Sequence, residues 1–545
     1  MNLLKKVNTA YLLLLVFLVN FLQALWTPIA HDEAYYFMYA QNPDWGYFDH
    51  PPMIGWLIGV GDLIFDGKLA VRIFPVLFSI LILLLFRKIL LRKQIEVNFI
   101  LLILIVLSIP IFHIYGFIAT PDVPLLFFGT LYLLILDRFK QEASWKNTFL
   151  LGLSMALVMY SKYHGGLLIL FSLLLSPRLW KKSRLYMALL FALLLYVPHI
   201  YWQWQHDFIS LRFHLIERDF VPLSLIEKLK MSFSGMLLII NPVLLYLFLK
   251  SLFRYSIKEK VPGFYAKLFL LIVLFFIFYA FKAWVQAHWI AIAGIPFVIY
   301  LYFYFSSEEG RINGYLKWLI ISIGIILLLR ILLVLPLDLN TEFHREKAMY
   351  FDTIKNLANQ RKIIFINSYQ RAAKHTFYTG DSAFSLNNIY YRKNQYDLWD
   401  YDNFHNKDVI FIGIWPSDFY QVKRVGKDTI LYAYSDHFQV FNRLKIKILN
   451  KDKLLQSDTI SMEINNPHKH SLILNDKDHL TLYLTTKNAK KFIHIPLHPV
   501  EDSVIEAQSK QIMKFMPASA LTPGISPEKY FVSGYSKFYH IKVGE

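Results

Sequence analysis

The sequence predicts a multi-span α-helical membrane protein of about 11 transmembrane helices with a soluble α+β C-terminal domain. Three observations predict it. Of 545 residues, 56% are hydrophobic and 17% aromatic, and the mean hydropathy is positive, unlike an ordinary soluble chain. Apolar runs near the ~20 residues that cross a bilayer recur from residue 9 to about residue 336. Residues 337–545 contain no such run, so the expected domains are 1–336 in the membrane and 337–545 outside it.

The runs lie at about 9–29, 69–91, 97–115, 121–137, 148–161, 164–177, 185–203, 231–250, 264–281, 288–305 and 314–336. The first follows a basic start, "MNLLKK", but is span-length and has no small-residue cleavage site after it, so it is expected to be retained as a helix. The net charge of +18 does not point to nucleic acid, because many of the basic residues cluster at the ends of apolar runs. If the spans alternate, Lys5/Lys6, Arg87/Lys88/Arg92/Lys93, Arg138/Lys140/Lys146, Arg178/Lys181/Lys182/Arg184, Lys250/Arg254/Lys258/Lys260 and Arg311/Lys317 share one side. By the positive-inside rule that side is cytoplasmic, with the N-terminus, and the C-terminal domain lies outside. The chain has no cysteine, which removes disulfides, thiolate metal sites and cysteine nucleophiles.

In the outer domain, "REKAMYFDTIKNLANQ" suits a helix, and "KIIFIN" and "DVIFIGIW" suit buried strands. "HFQVFNRLKIKIL", "HSLILN", "HLTLYLTT" and "KFIHIPL" read as further strands. No repeat, phosphate-binding glycine loop or zinc-type spacing is evident there, so no chemistry is expected of it.

The same topology gathers polar loops at the outer face: "HDEAYYFMYAQNPDWGYFDHPP", "YGFIATPDVP", "SKYHGG", "QWQHDFISLRFHLIERDF" and "FKAWVQAHW". Ionisable groups at a membrane surface within a mostly apolar chain mark a functional site. Asp32 and Glu33 end the first span, where a partly desolvated carboxylate has the raised pKa that suits a general base; the plainer reading is a pair of acids capping a loop helix. Tyr35, Tyr36, Phe37, Tyr39, Trp45, Tyr47 and Phe48 fit an amphipathic helix in the interface. Asp49 and His50 precede a double proline, a rigid turn suited to a divalent cation or a phosphate. Asp122, between prolines, needs a cationic partner, either a lysine or a metal. Lys162, His164, Lys282 and His288 are the candidate positive groups.

Residues 9–336 resemble the GT-C type membrane glycosyltransferases, in the glycosyltransferase 39/83 group with the protein O-mannosyltransferases and the lipid A aminoarabinose transferase. "HDEAYYFMYAQNPDWGYFDHPPMIGW", "VRIFP" and "ATPDVPLLFF" carry the resemblance. It implies a sugar donor linked to polyprenyl phosphate and catalytic acids at Asp32 and Glu33, with Asp32 the base. It matches the positions of Asp49, His50 and Asp122; read with the residues themselves, these give a donor-phosphate site drawn from His50, Lys162, His164, Lys282 and His288, and a divalent metal, Mg or Mn, on Asp49 and Asp122. Direct displacement would invert the anomeric carbon. The single-chain layout points to a bacterial inner membrane and to undecaprenyl phosphate, with lipid A, a glycan or a protein as acceptor and membrane lipids as surroundings. A flippase or transporter is the alternative; such proteins show inverted repeats and midplane breaks, whereas these acids cluster at one surface.

Overall fold

The computed structural model describes residues 8–215, 223–252, 260–307, 309–335, 337, 341–343, 348–389, 391–413, 421–454, 458–474, 480–488, 491–519, 526, 529–536 and 539–544. Parts of several expected features, among them Lys5, Lys6, Arg254, Lys258 and the "IERDF" end of the stretch after the seventh run, lie outside the described residues. The chain divides into two compact units, Met1–His344 and Arg345–Glu545.

The first unit is helical. Its elements are α1 (Thr9–Trp26), α2 (His31–Gln41), α3 (Met53–Asp62), α4 (Gly67–Arg92), α5 (Phe99–Leu107), α6 (Pro110–Ile114), α7 (Asp122–Gln141) and α8 (Trp145–Ser161). There follow α9 (Gly165–Leu174), α10 (Ser183–Gln205), α11 (Ile209–Leu215), α12 (Leu225–Ile240), α13 (Pro242–Ser251), α14 (Lys260–Lys282), α15 (Gly294–Ser307) and α16 (Glu309–Val334). Each expected span falls on helix, but among the described residues six helices are long and apolar enough to cross a membrane, or seven if the bent pair α12–α13 is one span. The count of eleven is not reached on these criteria for local reasons. Run 97–115 breaks before Pro110 into α5 and α6. Helix α7 carries Asp122, Asp137, Arg138 and Lys140, while α8 and α9 have 17 and 10 residues. Between α12 and α13 the axis turns by 86°. Asn241 sits there at φ 77°, its side chain accepts from Val243 N and Leu244 N, and Pro242 opens the new helix.

Helix α8 packs against both α7 and α10. The approach to α10 depends on Gly152, where a Cβ would lie 2.7 Å from the carbonyl oxygen of Ala188. Phe86, Leu102, Leu125, Leu168, Leu247 and Val298 are buried in one continuous core. Outside it, Leu190, Leu193, Leu194 and Val197 of α10 and Ile320, Ile321, Ile325 and Leu328 of α16 are exposed. Helices apolar on their outward faces as well suit surroundings of lipid.

The second unit is α+β. It begins with α17 (Ala348–Ala358), β1 (Lys362–Ile366), α18 (Tyr369–Thr379), β2 (Ala383–Leu386), β3 (Lys407–Gly413), β4 (Gln421–Val425) and β5 (Asp428–Phe438). These strands form a mixed sheet in the order β2-β1-β3-β5-β4, with β1 parallel to β2 and β3. It continues with β6 (Lys445–Ile448), β7 (Ile460–Asn466), β8 (Leu472–Ile473), β9 (Thr481–Asn488), β10 (Lys491–Pro499), β11 (Val504–Ile505), β12 (Ser509–Pro517), β13 (Tyr530–Ser536) and β14 (Tyr539–Lys542). Seven of these form an antiparallel sheet in the order β14-β13-β9-β10-β12-β7-β6, and β8 pairs with β11. In β7 the alternation is visible: Ile460, Met462 and Ile464 are buried and the residues between them are more open. The run "HFQVFNRLKIKIL" is two strands, because Gln439–Leu444 leave the ladder between β5 and β6.

Candidate active site

The site is best built from the start of α2. Ala30 is the N-cap and Asp32 and Glu33 occupy the first turn, where carboxylates complement the helix dipole. Their environments are opposite. Asp32 is exposed. Glu33 and Arg72 of α4 are both 0% exposed and form an ion pair. Arg72 Nε donates to Glu33 Oε1 at 2.7 Å, and its other nitrogens donate to the carbonyls of Ala24 (2.9 Å), Thr27 (2.7 Å) and Pro28 (2.8 Å). Glu33 also accepts from the amides of Ala30 and Ala119, each at 2.9 Å. This saturated pair ties α1, α2 and α4 to the segment before α7. Glu33, expected in a catalytic pair, is therefore enclosed and fully engaged, while Asp32 is more open than the partial desolvation expected of it.

The loop after α2 is held by α10 and α11. Trp202 Nε1 donates to Asp44 Oδ2 at 2.8 Å, Ser210 Oγ to the carbonyl of Tyr47 at 2.9 Å, and His214 Nε2 lies 2.8 Å from the carbonyl of Asp49. His199 Nδ1 lies 2.7 Å from the carbonyl of Trp45. Gly46 is required beneath Trp202, because a Cβ there would lie 2.4 Å from the indole. Of the expected aromatic set, Trp45 is exposed and Phe37 half-buried, and the other five point inward. Tyr35, Tyr36, Tyr39, Tyr47 and Phe48 are buried, and Tyr39 stacks on Tyr47 at 3.8 Å. Burial pushes the Tyr47 hydroxyl above its ordinary range, so it stays protonated and donates to the carbonyl of Tyr39. Asp49 is buried and accepts from the Tyr35 hydroxyl at 2.8 Å, and His50 lies between the rings of Tyr36 and His214.

The other expected residues arrive from three further segments. Asp122 opens α7, and Lys162 at the end of α8 donates to both of its oxygens at 2.8 Å, with both residues buried. The sequence left a lysine or a metal open for Asp122, and the structure supplies the lysine. Next to Lys162, the Tyr163 hydroxyl lies 3.1 Å from His199 Nε2 and accepts from Gln203 at 2.8 Å. Its ring meets His214, which links this segment to Asp49. His164 packs on Phe276 and Trp289. Lys282 is exposed and donates to the carbonyl of Leu215 at 3.3 Å, and His288 is half-buried in the 3₁₀ turn Ala287–Ala293. Sequence reasoning missed Arg72, His199, Trp202 and Tyr163. Arg72 alone carried a signal, as the single cation of "VRIFP" inside an apolar run.

Among the described residues, the acids and histidines that could hold a metal ion are Asp402, His468 and His470 in the second unit. Asp49 and Asp122 are not among them. No zinc-type spacing marks this group in the sequence, because Asp402 and His468 lie 66 positions apart.

Three comparisons bear on this arrangement. Residues 49–202 match the family model described as dolichyl-phosphate-mannose-protein mannosyltransferase. No curated protein matches the chain by sequence. Among solved structures, apo ArnT from Cupriavidus metallidurans aligns at a TM-score of 0.55 and 13% identity, over 78% of this chain and 97% of that one. The same protein bound to undecaprenyl phosphate aligns at 0.52 and 14%, with the same coverage. An oligosaccharyltransferase from Archaeoglobus fulgidus aligns at only 0.39 and 10% identity, over 97% of this chain and 98% of that one. Over 78% of its length the chain has the fold of ArnT, and residues 49–202 match the dolichyl-phosphate-mannose-protein mannosyltransferase model.

Proposed function

We propose that this integral membrane protein is an inverting glycosyltransferase. It moves a sugar from a polyprenyl-phosphate donor to a hydroxyl or phosphate of a lipid A, glycan or protein acceptor, with Asp32 as the base. The observation that carries the base assignment is the contrast in burial at the start of α2: Asp32 is exposed, while Glu33 and Asp122 are buried. Asp32 takes the acceptor proton as the acceptor oxygen bonds to the anomeric carbon and the bond to the phosphate oxygen breaks. Lipid phosphate is a good leaving group, so positive or hydrogen-bonding groups near it suffice in place of a strong acid. His50, His164, His288 and Lys282, each half-buried or exposed, and the buried Lys162 are the side chains we assign to that phosphate. The ammonium of Lys162 takes the place expected of Mg or Mn beside Asp122.

The charge distribution supports catalysis on the outer face of the membrane, and the ArnT complex with undecaprenyl phosphate supports that carrier and, with it, a bacterial inner membrane. The test is to supply membranes containing the protein with a panel of radiolabelled polyprenyl-phosphate sugars. Label appearing in an acceptor, with one sugar preferred, supports transfer; label that only changes leaflet, still on its carrier, replaces the transferase with a flippase.

A further inference from the structure

The Arg345–Glu545 unit holds a group of side chains that sugar transfer does not use. Asp402 opens the 3₁₀ turn Asp402–Phe404, and His468 and His470 lie in the connection from β7 to β8. One ligand atom from each lies within 4.8 Å of the others. We propose that Asp402, His468 and His470 bind a divalent transition-metal ion of the zinc type.

The surroundings orient all three ligands. Arg443 donates to Asp402 Oδ2 at 2.9 Å, which leaves Oδ1 turned toward His468 Nδ1, 2.6 Å away. His470 Nε2 lies 2.9 Å from the carbonyl of Val440. A neutral ring donates there through Nε2–H, which places its lone pair on Nδ1. Ligating imidazoles are commonly fixed by a carbonyl in this way, and ligating carboxylates by a further hydrogen bond. Asn466 secures the connection itself: its side chain accepts from His468 N at 3.1 Å and donates to the carbonyl of His470 at 3.0 Å. His405 stacks on His470 with ring centroids 3.4 Å apart and closes one side. On metal entry the His468 proton moves from Nδ1 to Nε2, and the long 3.3 Å contact from the Arg443 amide gives way.

Two imidazoles and one carboxylate suit zinc and its neighbours rather than Mg or Ca, which prefer oxygen throughout. Three protein ligands also leave room for water or a further group. The site is chemically distinct from the Mg or Mn expected at Asp49 and Asp122, and does not depend on the transferase reading.

The test uses tag-free full-length protein in detergent, stripped with chelator and titrated with ZnCl2, MgCl2 or CoCl2. We expect one zinc per chain by calorimetry, a rise in Tm with zinc but not magnesium, and a visible cobalt spectrum of low coordination number. His470→Ala and Asp402→Asn should each weaken zinc binding at least about 10-fold. Absence of zinc binding in the wild type, or binding unchanged in both variants, overturns the proposal. Should either variant misfold, the wild-type cobalt spectrum decides between nitrogen–oxygen ligation and none.

Discussion

Each unit sets a carboxylate against a guanidinium, and the two pairs are built differently. Glu33–Arg72 is 0% exposed on both sides, and its donors and acceptors are taken by α1, α2, α4 and the amide of Ala119. Arg443–Asp402 is 29% and 15% exposed, and Asp402 is shared with His468. A closed, saturated pair fixes backbone; a half-open pair keeps a carboxylate oxygen available to another group. Asp32 stands beside the closed pair without being part of it, and so gains a fixed position and keeps its access to water.

Breaking the closed pair should have the largest effect. Arg72→Met leaves Glu33 buried without its cation and should cost about 3–5 kcal/mol, read as loss of folded protein in detergent-solubilised membranes. Glu33→Gln belongs to the same class, as a folding defect before a catalytic one. Next comes Gly46→Ala, which drives a methyl into Trp202 and should cost about 1–3 kcal/mol by thermal melting.

The second unit should respond to acid. His375 is fully buried between Phe351 and Phe365, and burial lowers its pKa to about 4; burial lowers that of His540 to about 3. Both rings are neutral when folded and take a proton near pH ~6.5 when unfolded. Their contribution is therefore full above that pH and lost as pH falls toward about 4 and 3. Hydrogen exchange on the full chain, corrected for intrinsic rates, should show β1 and β13 losing protection between pH 7 and 5. Unchanged protection would mean that these histidines do not limit stability. The smallest effect is expected of Arg443→Met, about 0–1 kcal/mol, because the pair it breaks is partly open to water.

Local features of the sequence were legible and long-range pairings were not. The span-length apolar runs marked the helices, short continuous apolar runs marked β1 and β3, and the apolar pattern of "HLTLYLTT" and "KFIHIPL" marked β9 and β10. The acid-rich loop stood out because its residues are contiguous. Periodicity carries no information about Arg72 reaching Glu33 across 39 positions, or His468 reaching Asp402 across 66. That is why neither the Arg72 partner of Glu33 nor the histidine group was visible in the sequence. The break at Asn241 and the charges in α7 likewise changed the number of full-length spans without disturbing the helical pattern.

The central claim is that Asp32 performs chemistry while Glu33 performs support, and one comparison tests it directly. Wild type, Asp32→Asn and Glu33→Gln are assayed for sugar transfer from the preferred labelled donor, with Tm measured on the same preparations. Asp32→Asn is expected to keep the wild-type Tm and lose transfer, whereas Glu33→Gln is expected to lose both together. Near-normal transfer by Asp32→Asn would contradict it.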